Sequence, residues 1–328
     1  CRQYTGGAYL RLSRSRPIIS AMTPPLPVTS PDLPPPLPES LCYLNGETIR
    51  LCDAKVSVLD RGFIFGDGVY EVLPAYGGRI FRFEQHMARL DRSLGALRIQ
   101  NPHTHAEWLV IARRLIDALV ASTGAPNQLV YIQITRGVAP RDHVMLPGLR
   151  PTVFVMVSEM KQATPAQREQ GVRCVSAEDF RWQMAHIKTT SLLAAVMARQ
   201  ISADVGAVET VMFRDGHLSE ASSSNVWVVK NGVVMGPPKD HLLLEGIRFG
   251  LIEEMCHAQG IPFELRRITR MEVLDADELM LSSATKEVLP ITTLDDQSVG
   301  HGAARGRPGP IYTRLYAAYQ QAKASQSI

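Results

Sequence analysis

Apolar positions recur along this chain with two different periods, and the switches between them mark its elements. Leu41 to Leu44 and Thr48 to Leu51 are short apolar runs flanking Asn45-Gly46, a pair suited to the tight turn of a β-hairpin. Met87, Leu90, Leu94 and Leu97 then fall at helical spacing within Glu84 to Leu97, and Trp108 to Leu119 repeats that spacing. Gln128 to Thr135 and Thr152 to Ser158 read as strands. A polar stretch over 161–171 carries Pro165 and no hydrophobic period. Beyond it the pattern predicts a strand (Val172 to Ser176), a helix (Ser191 to Val205) and a strand (Glu209 to Phe213). A hairpin follows across Asn231-Gly232, with arms Val226 to Val229 and Val233 to Met235. A helix from Gly246 to Gln259, a strand from Glu278 to Ser282 and a closing helix from Ile311 to Ala324 complete the set. Mixed α+β architecture is the result, with no internal repeat.

Composition turns this pattern into an expected domain plan. A chain of 328 residues that is 45% hydrophobic can fill two cores. The break at 161–171 then serves as a linker between a smaller domain over 42–160 and a larger one over 172–328. Residues 1–41 stand apart as a disordered extension: Arg2, Arg11, Arg14 and Arg16 precede a proline-rich stretch from Pro24 to Pro38, with no acidic residue before Asp32. Its beginning has the composition of a transit peptide but lacks an amphipathic helix and starts at Cys1, so a remnant or a mis-assigned start fits better, with Met22 as a start. The net charge of +3 includes no basic run of nucleic-acid-binding length, and no apolar run approaches the roughly 20 residues of a bilayer span. Nucleic acid and membrane are therefore not expected partners. Cys1, Cys42, Cys52, Cys174 and Cys256 form no CxxC pair and no metal-binding spacing, so free thiols in a reducing compartment, the cytoplasm, and no metal are expected.

Lysine is scarce, seven residues against 28 arginines, so its positions can be weighed singly. Lys230, Lys239, Lys161 and Lys323 lie at turns, in the linker or in the tail, and Lys55 in a polar stretch, all places for a solvated ammonium. Lys188 instead precedes an apolar helix, where partial burial is expected. A free lysine near pKa 10.4 is a poor nucleophile, and a semi-buried one is the kind that forms Schiff bases. Read locally, Lys188 is more often a lysine snorkelling from a helix start.

Seven segments in order change that balance. Asp60-Arg61-Gly62-Phe63-Ile64-Phe65-Gly66-Asp67-Gly68-Val69-Tyr70-Glu71 is followed by His86-Met87-Ala88-Arg89-Leu90, and then by Thr135-Arg136-Gly137 leading into Arg141-Asp142-His143. His186-Ile187-Lys188, Ser219-Glu220-Ala221-Ser222-Ser223-Ser224-Asn225, Leu244-Glu245-Gly246-Ile247-Arg248, and Ser282-Ser283-Ala284-Thr285 with Glu287 complete the series. Together they span most of residues 42 to 320. This order resembles the class IV, branched-chain-like aminotransferases that use pyridoxal 5'-phosphate, and within them the bacterial D-amino acid aminotransferases. The resemblance implies fold type IV, with a small N-terminal α/β domain and a larger C-terminal domain built on a β-barrel-like core.

The same resemblance implies roles for individual residues. Lys188 forms the Schiff base with the cofactor and shuttles the proton at the substrate. Glu220 faces the pyridine nitrogen and keeps it protonated, and Ser223 and Ser224 lie beside the cofactor. Arg89, Gly246, the Ile247 and Arg248 amides at a helix start, and Thr285 hold the phosphate. Tyr70, Arg141 and His143 receive the substrate α-carboxylate, and the last two alternate so that an extended loop points them to one side. Read without the motif order, Glu220 is equally a surface acid, Arg89 an exposed helical arginine, and Arg141 and His143 ordinary loop residues. Two positions depart from the pattern: Arg248 stands where threonine is frequent, and Ala284 replaces the expected threonine, with Thr285 one place later.

The implied activity is amino transfer from D-alanine or another D-amino acid to 2-oxoglutarate in two half-reactions, by a homodimer in which partner residues help close each site. Branched-chain or (R)-amine transamination and 4-amino-4-deoxychorismate cleavage are the alternatives on the same fold, separated by the loop from Gly137 to Pro147. A catalytically silent binding protein is the alternative from another class, and retention of Lys188, Glu220 and Arg89 argues against it.

Overall fold

The computed structural model describes residues 39–328. The expectations for residues 1–38 lie outside the described residues. Residue 41, the last assigned to the extension, already opens the first strand, β1 (Leu41–Leu44), which turns at Asn45-Gly46 into β2 (Glu47–Arg50). Asn45 and Gly46 have φ of 52° and 109°, as the tight turn requires.

A short helix α1 (Arg61–Phe65), strands β3 (Gly68–Tyr76) and β4 (Arg79–Ile80), helices α2 (Phe83–Ala96) and α3 (His105–Thr123), and strands β5 (Asn127–Thr135) and β6 (Thr152–Glu159) complete the first half. The strands form one antiparallel sheet in the order β2-β1-β6-β5-β3-β4. Met87, Leu90 and Leu94 of α2 and Trp108, Leu115 and Ile116 of α3 pack on Leu73, Val130, Ile132 and Val155 of the sheet. Each such side chain, fully buried, contributes about 1.5–3 kcal/mol. α3 extends beyond its apolar stripe because Thr104 and Glu107 cap its start reciprocally and Gly124, at φ 68°, ends it.

The segment expected to be an aperiodic linker contains a helix, α4 (Pro165–Gln170). Thr164 and Gln167 make a reciprocal cap and Pro165 occupies the first turn, so local capping rather than an apolar stripe forms it. Then follow β7 (Val172–Glu178), α5 (Leu193–Asp204), β8 (Glu209–Arg214), β9 (His217–Ala221), β10 (Asn225–Lys230) and β11 (Val233–Gly236). α6 (Ile247–Ala258), β12 (Phe263–Leu265), α7 (Arg270–Leu274), β13 (Glu278–Ser283), β14 (Glu287–Leu294), β15 (Gln297–Ser298) and α8 (Pro310–Ser325) end the chain.

The second sheet runs β12-β11-β10-β13-β14-β7-β8-β9, with β15 on β14. It curls back on itself, since the Ala221 amide at the end of β9 donates to the Ser224 carbonyl beside β10 at 2.7 Å. Both faces are buried: Val226 and Val228 of β10 enter one core, while Trp227 and Val229 enter another beneath α6 and α8. Six strands were not anticipated from the pattern: the short β4, β12 and β15, and the longer β3, β9 and β14. β3 carries Glu71 and Pro74, β9 carries Ser219 and Glu220, and β14 carries Pro290, so none of these three reads as an apolar run.

Gly137, which leads from β5 into the long loop before β6, has φ 105°, and a Cβ there would lie 2.1 Å from the Arg150 carbonyl oxygen. Gly137→Ala is expected to lower the unfolding free energy by at least about 1–3 kcal/mol, seen as a reduced midpoint in urea or thermal unfolding. An unchanged midpoint would mean that the loop can leave this conformation freely.

Candidate active site

A cavity of about 540 Å³ opens beside Lys188 and gathers residues from both sheets. Tyr70 of β3 and Arg89 of α2 reach it from the first half of the chain. Lys188, Glu220, the turn 222–224, Gly246, Ile247, Arg248 and Thr285 reach it from the second.

Lys188 is half-buried, with Nζ 4.0 Å from the centroid of the Tyr70 ring and no ion pair among the described residues. Its backbone is tied to β3, because the Tyr70 amide donates to the Lys188 carbonyl at 3.0 Å. An amine held against an aromatic face, free of any carboxylate, is available to an incoming carbonyl carbon.

Arg89 is no exposed helical arginine. It is 6% exposed and grips the fully buried Glu71 with two parallel bonds, Nε to Oε1 at 2.7 Å and Nη2 to Oε2 at 2.8 Å. His86 Nδ1 lies 2.8 Å from the same Oε2. Burial pushes the Glu71 carboxyl up, but the charge and hydrogen bonds of Arg89 and His86 outweigh it and hold the group far below the usual carboxylate range. Burial drives His86 the other way, down to about 3 against the pull of Glu71, so the ring is neutral.

α6 starts at Ile247 after Gly246, and no side chain caps this end, so its first amides and helix dipole face the cavity. Gly246 is required by a close approach, since a Cβ would lie 2.3 Å from Asn225 Oδ1. The side chain of Arg248 reaches His86 and Tyr319. It is 2% exposed, with Nη1 3.3 Å from His86 Nε2, Nε donating to the Tyr319 hydroxyl at 3.2 Å, and Nη2 buried without a partner.

Glu220 is buried rather than a surface acid, at 5% exposure. Arg181 Nη1 donates to its Oε1 at 2.5 Å, Asn225 Nδ2 to its Oε2 at 3.2 Å, and the Leu244 amide to Oε1 at 3.2 Å. Burial raises its carboxyl, and Arg181, itself anchored by Asp179, only partly offsets that. Ser223 and Ser224 line the cavity, but their hydroxyls donate to the buried Glu209 at 2.5 and 2.8 Å. Lys286 completes that cluster, 2.8 Å from Glu209.

Arg141 and His143 do not line the cavity with Tyr70. Both are exposed and share one platform, the ring of Phe65, with Arg141 Cζ 5.4 Å and the His143 ring 5.3 Å from its centroid. Arg61 fixes the loop by donating to the Asp142 carbonyl at 2.5 Å and to Asp67 at 2.8 Å.

Sequence patterns alone did not single out Arg181, Glu209 or Lys286, and assigned no role to Glu71 or His86. The last two lie inside matched motifs, which was their available signal, whereas Arg181 and Glu209 sit in segments with no distinctive pattern. No cluster of potential metal ligands occurs among the described residues.

The family model for amino-transferase class IV matches residues 68–294. This chain belongs to the class IV aminotransferases. D-alanine aminotransferase of Bacillus licheniformis is 35% identical over 283 residues, 86% of this chain and 97% of that protein. Among solved structures, a T.th. branched-chain amino acid aminotransferase with pyridoxamine 5'-phosphate superposes with a TM-score of 0.78 at 23% identity, over 88% of this chain and 95% of that one. A fold IV transaminase from Curtobacterium pusillum gives 0.72 at 26% identity, over 83% and 92%. The fold is therefore type IV, α+β, and the cofactor of class IV aminotransferases is pyridoxal 5'-phosphate. The residues here fit that group: an unpaired lysine amine, an uncapped helix start over a glycine that approaches closely, and the buried guanidinium of Arg89 at the cavity wall.

Acid should weaken this class IV aminotransferase through His86. The unfolded histidine takes up a proton below about pH 6.5, the folded one only near 3, so stability is full above 6.5 and falls as the pH drops through that window. Urea unfolding between about pH 7 and pH 5 is expected to show His86→Asn losing less stability than wild type, by up to about 1.4 kcal/mol per pH unit. Equal slopes would show that the folded protein protonates His86 freely.

Proposed function

We propose that this aminotransferase acts on D-amino acids, with D-alanine or a similar donor and 2-oxoglutarate as acceptor, and that it works as a homodimer. The observation that carries the reading is the pairing of Arg141 and His143 on one face of an anchored loop, outside the cavity of their own chain. A cation and an imidazole side by side make a carboxylate receptor, and in a dimer they would meet Tyr70 across the interface. The similarity to D-alanine aminotransferases over most of the chain supports the same choice.

Pyridoxal 5'-phosphate, when bound, supplies a carbonyl carbon for amines and a ring that takes up electrons released at the substrate α-carbon. Lys188 would hold the group, and its amine would move the proton at the substrate α-carbon. Glu220 holds the proton on the ring nitrogen, oriented by Arg181 and Asn225. Arg89, Thr285 and the amides of Ile247 and Arg248 would receive the phosphate, with Ser223 and Ser224 lining the same cavity. Chirality follows from where the α-carboxylate is held relative to the fixed ring. Each charged hydrogen bond contributes about 1.5–3 kcal/mol, enough to separate enantiomers by several factors of ten.

The same reading divides the chain into a small domain over 42–160 and a cofactor-binding domain over 172–328, joined by 161–171. The four cysteines of the described residues are unpaired, which supports a reducing compartment, the cytoplasm.

Absorption spectra after adding D-alanine, L-alanine and L-leucine in turn test the reading. A visible cofactor band, absent from Lys188→Ala, is expected to shift with D-alanine alone. A response confined to an L-amino acid would overturn the roles of Arg141 and His143, and no band after adding the cofactor would remove the lysine chemistry. Mixing Lys188→Ala with Arg141→Ala after partial unfolding and reassembly should restore activity to about a quarter of the wild-type level, because a two-fold dimer then contains one intact site. No recovery would place Arg141 in the site of its own chain.

A further inference from the structure

Arg248 departs from the family pattern, and its side chain makes contacts that a threonine could not. Nη1 lies 3.3 Å from His86 Nε2, Nε 3.2 Å from the Tyr319 hydroxyl, and Cζ 5.2 Å from the centroid of Phe81. No carboxylate lies within ion-pair distance of it among the described residues, although it is only 2% exposed and an unpaired buried charge is costly. Something must therefore depend on it.

Hydrogen-bond chemistry indicates what. A guanidinium only donates, so His86 Nε2 accepts from Arg248, and the ring proton resides on Nδ1. Nδ1-H then donates to Glu71 Oε2 at 2.8 Å. Glu71, so fixed, presents both oxygens to Arg89, at 2.7 and 2.8 Å. The order of contacts is Arg248 to His86 to Glu71 to Arg89, and it links the first turn of α6 to α2 and β3. Two guanidiniums share one carboxylate across a neutral histidine, so the cluster carries one surplus positive charge at the cavity wall.

We propose that Arg248 is a positioning residue for the cofactor phosphate: by fixing the His86 tautomer it orients Glu71, and through Glu71 the guanidinium of Arg89, without its own side chain touching the phosphate. This rests on the reading that places the phosphate between Arg89 and the start of α6. With the pattern's threonine at 248, the His86 Nε2 would lose its donor and the ring could exchange tautomers, loosening the platform under Arg89.

The test is a comparison of pyridoxal 5'-phosphate with pyridoxal, which lacks the phosphate, binding to cofactor-free full chain. Arg248→Met is expected to raise the Kd for pyridoxal 5'-phosphate about tenfold or more and to change that for pyridoxal by less than about twofold. His86→Phe should do the same, and the double variant should be no worse than the weaker-binding single variant, because both remove one linkage. Additive losses, equal losses for both ligands, or no loss would overturn the proposal. Wild type that binds neither ligand would sink the cofactor reading and this proposal together, whereas normal wild-type binding with additive losses sinks the proposal alone. Should Arg248→Met fail to fold, ¹⁵N spectra of histidine-labelled wild type decide: an Nδ1-H tautomer at His86 is expected, and an Nε2-H or doubly protonated ring refutes it.

Discussion

A carboxylate removed entirely from water has to be met by charge and by hydrogen bonds, and the placement of Glu71 on the middle of β3 makes that demand in the heart of this enzyme. Arg89 and His86 of α2 answer it, and Arg248 of α6 reaches the same cluster through His86. Removing one partner of such a cluster costs about 3–5 kcal/mol, because the remaining charge stays buried. One ionic centre therefore ties the helix layer of the first sheet to the helix that begins at the cavity rim. Arg89 is rigid because one edge of its guanidinium is fully used by Glu71.

The second sheet repeats the device around the cavity. Glu209 is met by Lys286 and by the hydroxyls of Ser222, Ser223 and Ser224, so the serine turn is held from behind. Glu220 is met by Arg181, and Asn225 links its carboxylate to the Leu244 carbonyl. Glu287 is 1% exposed and sits at φ 60°, a left-handed conformation that a non-glycine residue adopts only under constraint. Arg168 and Lys323 supply that constraint, each 2.9 Å from its carboxylate, and the turn carrying Ala284 and Thr285 is thereby fixed. Preorganisation here comes from paired charges under the site rather than from the residues that face it.

The loop bearing Arg141 and His143 follows the same logic on the outside. Asp67 receives Arg61 and Arg136 at 2.8 Å each, and burial of its carboxyl is outweighed by the two guanidiniums, which hold it below its ordinary range. Arg61 and Phe65 then supply the anchor and the platform on which the loop residues rest. Arg141 and His143 are thus exposed and still oriented.

Much of this enzyme was legible from local order alone. The stripe of Met87, Leu90 and Leu94 defines α2, the Asn-Gly pairs define two hairpins, and the succession of motifs around Lys188 marks the family, because each depends on neighbours within a turn or a strand. The linker helix was not read from the pattern, because its signal lies in the capping residues Thr164, Pro165 and Gln167 rather than in an apolar stripe. Nor were strands β3, β9 and β14, since their buried positions hold Glu71, Glu220 and Glu287, and periodicity reports burial only where the buried residue is apolar. Those carboxylates are buried because Arg89, Arg181, Arg168 and Lys323 arrive from other elements, in three of the four cases tens of residues away in the chain. Short-range physics, acting through caps, turns and stripes, was set by the sequence by itself; which charges meet, and hence what the site can hold, was decided only when the tertiary structure brought distant segments within hydrogen-bonding reach.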